Sequence, residues 1–384
     1  MRGAAFVGGC GAGFAAGWNI ANTGAVAEEL SATYGVGLGV VGLLTTALFL
    51  AHMLMQLPSG RLSDRFGPWA VCATGVGVLA ACNCVLAIAP SAPLALAARS
   101  ATGVGTALAF IGGSDLVRLK GGSPFAQGLY GGVATAGGGV ALAVVPLTTG
   151  AVGWRAPYLS ALAVAAVTAA MLAFAPRDAR TPVGRATVAL GRIARDPRLL
   201  RIAAVFAASF GLSVVIGNWV TTLLDDRPGV SAATAGAIAS LTLVLGVVSR
   251  PVGGWIMRER PASIGVAVAA SALFGAAGVA AVAAGPLPLA IAGAGAVGLA
   301  AGIPFAAAFT RAAALFPGSP ATAVGFVNGT GALAILLVTP LVGVALARDF
   351  GDEAFVVLAV LWAASIAVVP RAFDHPSSAE RRSR

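Results

Sequence analysis

The 384-residue chain is 58% hydrophobic and only 10% charged. Soluble domains carry about 25% charged residues, so a water-soluble globular fold is excluded. A net charge of +10 would suit a nucleic-acid binder, but the basic residues lie singly or in short groups between apolar runs. That is the pattern of loops beside a membrane, and nucleic acid is not an expected partner. Cys10, Cys72, Cys82 and Cys84 all lie in apolar runs, and His52 and His375 are the only histidines. These spacings offer no disulfide framework and no metal or cofactor cluster, so none is expected.

Residues 3–27, 66–98, 121–154, 202–224, 261–310 and 312–347 contain no Asp, Glu, Lys or Arg. A helix needs about 20 apolar residues to cross a bilayer. The runs are continuous and lack period-2 alternation, which predicts helices and not barrel strands. Twelve spans follow: 4–27, 38–58, 68–89, 92–116, 127–150, 156–175, 202–224, 232–256, 262–284, 287–310, 321–346 and 354–371. Turn-forming residues separate them, among them Gly67-Pro68, Pro90 with Pro93, Pro228-Gly229, Pro286 with Pro288, and Pro317-Gly318.

Between spans 6 and 7 lies a basic stretch, 176–201, with Arg177, Arg180, Arg185, Arg192, Arg195, Arg198 and Arg201. It divides the chain into an N-terminal six-helix bundle, 1–175, and a C-terminal one, 202–371, with a tail at 372–384. Within the linker, Val188–Arg195 has the pattern of a short amphipathic helix lying on the headgroups. Most of the 24 basic residues fall on the side that holds both termini, while Glu28, Glu29, Asp225, Asp226, Asp349, Asp352 and Glu353 collect on the other. The positive-inside bias therefore places both termini in the cytoplasm, in a plasma or inner membrane.

The halves carry traces of a repeat. Pro58-Ser-Gly-Arg-Leu-Ser-Asp-Arg65 aligns with Pro251-Val-Gly-Gly-Trp-Ile-Met-Arg258, keeping Pro, Gly and the closing Arg but replacing Asp64 by Met257. Phe14, Ile20 and Asn22 align with Phe210, Ile216 and Asn218.

Gly60-Arg61-Leu-Ser-Asp64-Arg65-Phe-Gly67, set between two apolar spans, resembles the loop signature of the major facilitator superfamily of transporters. Arg99-x-x-x-Gly103-x-Gly105 in span 4, Gly153-Trp154-Arg155 with Tyr158 before span 6, and Pro251-x-Gly-Gly254 at the end of span 8 resemble further places in that family. The resemblance implies an all-α polytopic membrane protein of twelve transmembrane helices in two pseudo-symmetric six-helix bundles. It also implies a gate in which Asp64 meets the N-terminus of span 11, near Ala321. Such a contact braces the outward-facing state and breaks on inward opening. Alternatively, the loop charges are merely solvated. Span 5 departs from the family's drug–proton antiporters, because it lacks their Gly-Pro pair.

Ionisable residues inside spans are costly and point to function. Here they are Arg250 in span 8, His52 in span 2, and Asp115 and Arg99 near the two ends of span 4. Arg250 cannot shed its proton, so it calls for a carboxylate, an oxyanion or a helix dipole. Its Ser-Arg-Pro-Val-Gly-Gly setting is similar to that of nitrate/nitrite porters and monocarboxylate transporters. Span 2, however, lacks the second Arg of the nitrate/nitrite group. Arg250 either binds a substrate anion or pairs with a gate acid or helix carbonyls. His52 either carries a proton or is a hydrogen-bonded structural residue. Asn19, Asn22, Asn218 and Asn328 complete the candidate substrate contacts, or else glue helices together.

No Asp or Glu lies at mid-depth, which argues against efflux of cationic drugs. The expected function is secondary transport of a small solute by alternating access, with a small anion such as nitrate, nitrite or a carboxylate held by Arg250. Efflux of neutral or hydrophobic compounds is the alternative, and a transporter-like membrane sensor is the non-transport alternative. A membrane enzyme is not expected. The expected partners are the substrate, the lipid bilayer and coupled protons, with the chain acting as a monomer.

Overall fold

The computed structural model describes residues 2–88, 90–177, 188–225, 230–369 and 373. The histidine, arginines and other tail residues beyond 373 lie outside the described residues, as do Arg180 and Arg185 of the linker.

The described residues are helical almost throughout. We number the long helices α1 Arg2–Ala21, α2 Leu38–Phe66, α3 Pro68–Ile88, α4 Ala92–Gly121, α5 Pro124–Val152 and α6 Ala156–Ala173. In the second half, α7 runs Pro197–Phe206, passes through a π-helical turn at Ala207–Gly211 and continues as Leu212–Asp225. Then come α8 Ala232–Glu259, α9 Ile264–Ala284, α10 Leu287–Leu315, α11 Pro320–Leu346 and α12 Gly351–Ala364. Ten continuous helical stretches are apolar and long enough to span a membrane, and one of them, Pro124–Ala173, contains both α5 and α6. With the Gly-rich α1, twelve crossings result.

Short helices add detail that the hydropathy did not predict or predicted loosely. Ala27–Tyr34 follows α1, and Leu190–Ala194 forms within the expected 188–195 segment, with Ile193 turned inward.

One difference concerns the signature stretch. It is not a loop: α2 continues as helix through Pro58 to Phe66, and the chain turns only at Gly67, whose φ of 88° suits glycine. Pro58 removes one backbone donor but does not end the helix. Arg61, Ser63, Asp64 and Arg65 prolong the helix past the apolar run without breaking it. Its second copy behaves alike, since α8 runs through Pro251 to Glu259.

The chain forms two compact units, Met1–Val188 with Phe316–Gly329, and Ala189–Leu315 with Thr330–Arg384. The start of α11 thus belongs with the first unit. In that unit α1 packs on α4, α5 and α6, α2 packs on α4, and α3 packs on α4 and α6. The second unit repeats this plan: α8 packs on α10, and α9 packs on α10 and α12. The closest approaches repeat too. A Cβ on Gly103 of α4 would lie 2.1 Å from the Leu48 carbonyl oxygen of α2. One on Gly298 of α10 would lie 2.3 Å from the Leu241 carbonyl oxygen of α8. Both helix pairs therefore need glycine at the crossing.

Candidate functional site

The first unit holds a capping arrangement at the start of α11. Pro320 opens that helix and has no N–H, so Ala321 and Thr322 carry the first free amides. Ser319 is placed to cap them, but its hydroxyl accepts instead from the Val188 amide of the linker at 2.9 Å. The cap comes from Asp64 on α2. Its carboxylate accepts from the amides of Ala321 and Thr322, each at 2.9 Å, and from the Thr322 hydroxyl. A carboxylate at a helix N-terminus gains both charge-assisted hydrogen bonds and the macrodipole. Gly60, one turn earlier on α2, makes the approach possible: a Cβ there would lie 2.3 Å from the Ala321 carbonyl oxygen.

The other signature residues have distinct placements. Arg61 donates to the Val188 carbonyl at 2.8 Å, so the linker's end is gripped from both sides. Arg65 is exposed, its guanidinium 5.0 Å from the centre of the Phe66 ring. Ser63 donates to Asp115 of α4 at 2.8 Å, and Arg118 donates twice to that same carboxylate.

Further into α2, His52 is buried in a directional chain of hydrogen bonds. The Thr106 hydroxyl has one proton and donates it to the Gly103 carbonyl at 2.8 Å. It can therefore only accept from His52 Nδ1, 2.9 Å away. His52 Nε2 is then free to accept from the Gln56 amide at 2.6 Å. The pattern suits a neutral ring with its proton on Nδ1. Protonating Nε2 would set two donors face to face unless the Gln56 amide turned over. The Gln56 Oε1 atom, buried without a hydrogen-bond partner, is the acceptor such a turn would bring round. Gln56 packs against α11 where Gly325 and Gly329 lack side chains, and Asn328 beside them is buried.

Asn19 and Asn22 are fully buried and used between helices. Asn19 donates to the Ala15 carbonyl and accepts from Asn83 of α3 at 2.8 Å. Asn22 donates to the Pro157 carbonyl at 2.8 Å and accepts from Arg99 at 3.3 Å. Arg99, itself fully buried, also donates to Thr23.

In the second unit Arg250 occupies the interior of α8, half-buried. Its guanidinium lies 4.7 Å from the centre of the Phe305 ring of α10 and 5.5 Å from that of Phe210 of α7. Phe206 and Phe309 extend the aromatic group, with Phe206 5.2 Å from Phe210 and 5.5 Å from Phe309. The backbone beneath Arg250 is clamped. Ser249 donates to the Gly298 carbonyl at 3.1 Å, and a Cβ on Gly302 would lie 2.7 Å from the Arg250 amide nitrogen. Asn218, on α7, is exposed and stands outside this group.

The sequence resemblance places Asp64 at the start of span 11, where the structure has it, but nothing in the sequence gives Arg250 its aromatic neighbours. Phe210 and Phe305 are far apart in the chain and read as ordinary apolar residues. Thr106 carried no signal as the partner of His52. The Asp115–Arg118 pair had one, an acid and a base three apart on a helix.

The sequence profile of the Major Facilitator Superfamily matches residues 9–285. No curated protein matches the chain. Among solved structures, a variant of the E. coli fucose:proton symporter FucP aligns with a TM-score of 0.78 at 16% identity, over 98% of this chain and 99% of that one. The proton:xylose symporter XylE aligns at 0.76 and 12% identity, over 95% and 94%. The human organic anion transporter MFSD10 aligns at 0.73 and 17% identity, over 96% and 98%. These likenesses establish the fold, and the profile covers most of the chain with the signature stretch 60–67 inside it. The protein is a multi-pass membrane transporter of twelve helices that belongs to the Major Facilitator Superfamily.

Proposed function

We propose that this secondary transporter moves a small anion, such as nitrate, nitrite or a carboxylate, with Arg250 as the contact that holds it. One observation carries the reading: a permanent cation sits half-buried in the interior of a membrane helix, held in place by the α8–α10 clamp. A charge at such depth is costly unless it is used. The planar fork of a guanidinium matches a carboxylate or oxyanion in shape and charge.

Alternating access would rock residues 1–175 against 202–371, with Asp64 bracing the outward-facing state through the first turn of α11. His52 is the proposed site of the coupled proton, because its network has one arrangement for the neutral ring and a second within reach of an amide turn. Asn218 and Asn328 remain proposed substrate contacts, whereas Asn19 and Asn22 are read as helix glue. The termini are proposed to be cytoplasmic, in a plasma or inner membrane, and the transporter to act as a monomer.

Two fold neighbours are described as sugar:proton symporters and one as an organic anion transporter. The former support a second reading in which a neutral solute is carried with protons. Uptake into proteoliposomes separates the two. Losing a charge-assisted contact costs about 2 kcal/mol, so Arg250→Ala is expected to weaken anion uptake roughly thirtyfold in apparent affinity. If Arg250→Ala leaves the affinity for every anion unchanged, the anion reading is wrong.

A further inference from the structure

We infer that the linker takes part in the gate: the main chain at Val188 is a strap between α2 and α11, and Arg61 and Ser319 are the positioning residues that hold it there. The inference rests on Asp64 bracing the start of α11, and it adds a member that lies outside the signature stretch.

Ser319 has the backbone of a helix-capping residue. Its carbonyl accepts from the Ala323 amide at 3.1 Å, and Pro320 follows at the first helical position. A serine so placed normally turns its hydroxyl to the second or third amide of its own helix. Here those amides, of Ala321 and Thr322, go to Asp64, and the Ser319 hydroxyl takes the Val188 amide. On α2, Arg61 lies three residues before Asp64, so the two share a face of the helix. Arg61 donates to the carbonyl of the same Val188 at 2.8 Å. The result is a closed circuit. Arg61 joins α2 to Val188, Ser319 joins Val188 to α11, and Asp64 joins α11 back to α2.

In such a circuit each bond keeps the others in register. Separating α2 from α11 pulls Val188 from both sides, so one of its two bonds breaks together with the cap. Ser319 is fully buried, whereas Arg61 is half-buried. Water replaces the Arg61 bond at less cost, so the strap parts from Arg61 and stays with α11.

Beyond Val188 the chain is hydrogen-bonded up to α7. The Ala189 carbonyl accepts from the Arg192 and Ile193 amides at 3.0 Å and 3.3 Å, and the Ile193 carbonyl accepts from the Asp196 amide at 3.3 Å. The Asp196 carboxylate then caps α7 through the amides of Arg198 and Leu199. A displacement at the start of α7 is therefore passed to Val188 with little slack, which connects the gate to the helix that opens the second half.

The test uses the full-length chain in proteoliposomes, with hydrogen–deuterium exchange read over peptides spanning Val188 and peptides covering 316–329. Arg61→Met keeps the length of the side chain and removes its donors. It should speed exchange in the first turn of α11 about tenfold, while the Val188 amide stays protected by Ser319. Arg61→Lys, which keeps a charged donor, should remain within about threefold of wild type. Ser319→Ala should expose the Val188 amide and speed the first turn of α11 as well. Peptides from α9 and α12 should be unchanged in all variants, which guards against a folding artefact. The inference is overturned if Ser319→Ala leaves the Val188 amide protected, or if Arg61→Met leaves 316–329 at the wild-type rate. If Asp64→Asn speeds exchange in 316–329 and Arg61→Met does not, only the strap fails. If Asp64→Asn itself changes nothing there, the bracing role of Asp64 fails with it.

Discussion

Asp64→Asn is the most direct probe of the α2–α11 cap. In the wild-type chain the carboxylate satisfies three donors: the Ala321 amide, the Thr322 amide and the Thr322 hydroxyl. Asparagine keeps one acceptor oxygen and turns an NH2 group toward the remaining donors, so at least one amide of α11 loses its partner. The Ser319 hydroxyl is already engaged by the Val188 amide. Hydrogen bonds to charged groups are worth about 1.5–3 kcal/mol each. Asp64 is half-buried, and competing water brings the expected net loss to about 2 kcal/mol. Hydrogen–deuterium exchange read by mass spectrometry over peptides covering 316–329 measures this directly. The amides of the first turn should exchange roughly thirtyfold faster in the variant, with peptides from α9 and α12 unaffected. Transport should slow or lose directionality in the same variant, because the braced state becomes less populated. Unchanged exchange in 316–329 would refute the cap, and unchanged transport despite faster exchange would refute its role as a gate.

Two further expectations concern Arg250 and His52. Gly302→Ala should push α10 from α8 at the Arg250 backbone, costing about 1–3 kcal/mol and lowering the thermal unfolding midpoint, whereas Gly295→Ala, which meets only Leu245 at 3.7 Å, should be near neutral in the same assay. His52→Gln should retain exchange of substrate across proteoliposomes but lose accumulation driven by an imposed pH gradient. Accumulation at the wild-type level would remove His52 from proton coupling.

Much of the fold could be read from the chain because lipid leaves few choices. A charge-free run of spanning length must be a helix, and breakers such as Gly67-Pro68 and Pro286 with Pro288 mark where helices turn. The boundaries that differed did so for a local reason. Charged residues at 60–65 read as a loop because they interrupt hydropathy, but helix geometry tolerates them and only Gly67 forces the turn. The π turn at Ala207–Gly211 was invisible because one wider turn changes neither composition nor hydropathy. The sites divide likewise. Arg250 and Asp64 stood out by charge alone. The start of span 11 as the partner of Asp64 follows from the resemblance, whereas Phe210 and Phe305 come to Arg250 by how helices cross, and no local pattern encodes that. Asn19 and Asn22 show the converse: polarity inside a span drew attention to groups that hold helices together.

The π turn in α7 also fixes how this helix tolerates change in length. It holds one residue more than an α-helical path would need, and the wider turn absorbs that residue so that the segments on either side keep to one helical path. Val215, Ile216, Val220 and Leu224 beyond it are all buried in the core of the second unit. A one-residue deletion within Ala207–Gly211 would let the turn close to a regular α-helix with that whole set still facing its neighbours. A substitution at the same place would leave their phase alone. Around Phe210, then, the residue count has one residue of slack, whereas a one-residue deletion beyond Gly211 would turn the buried set by about 100°.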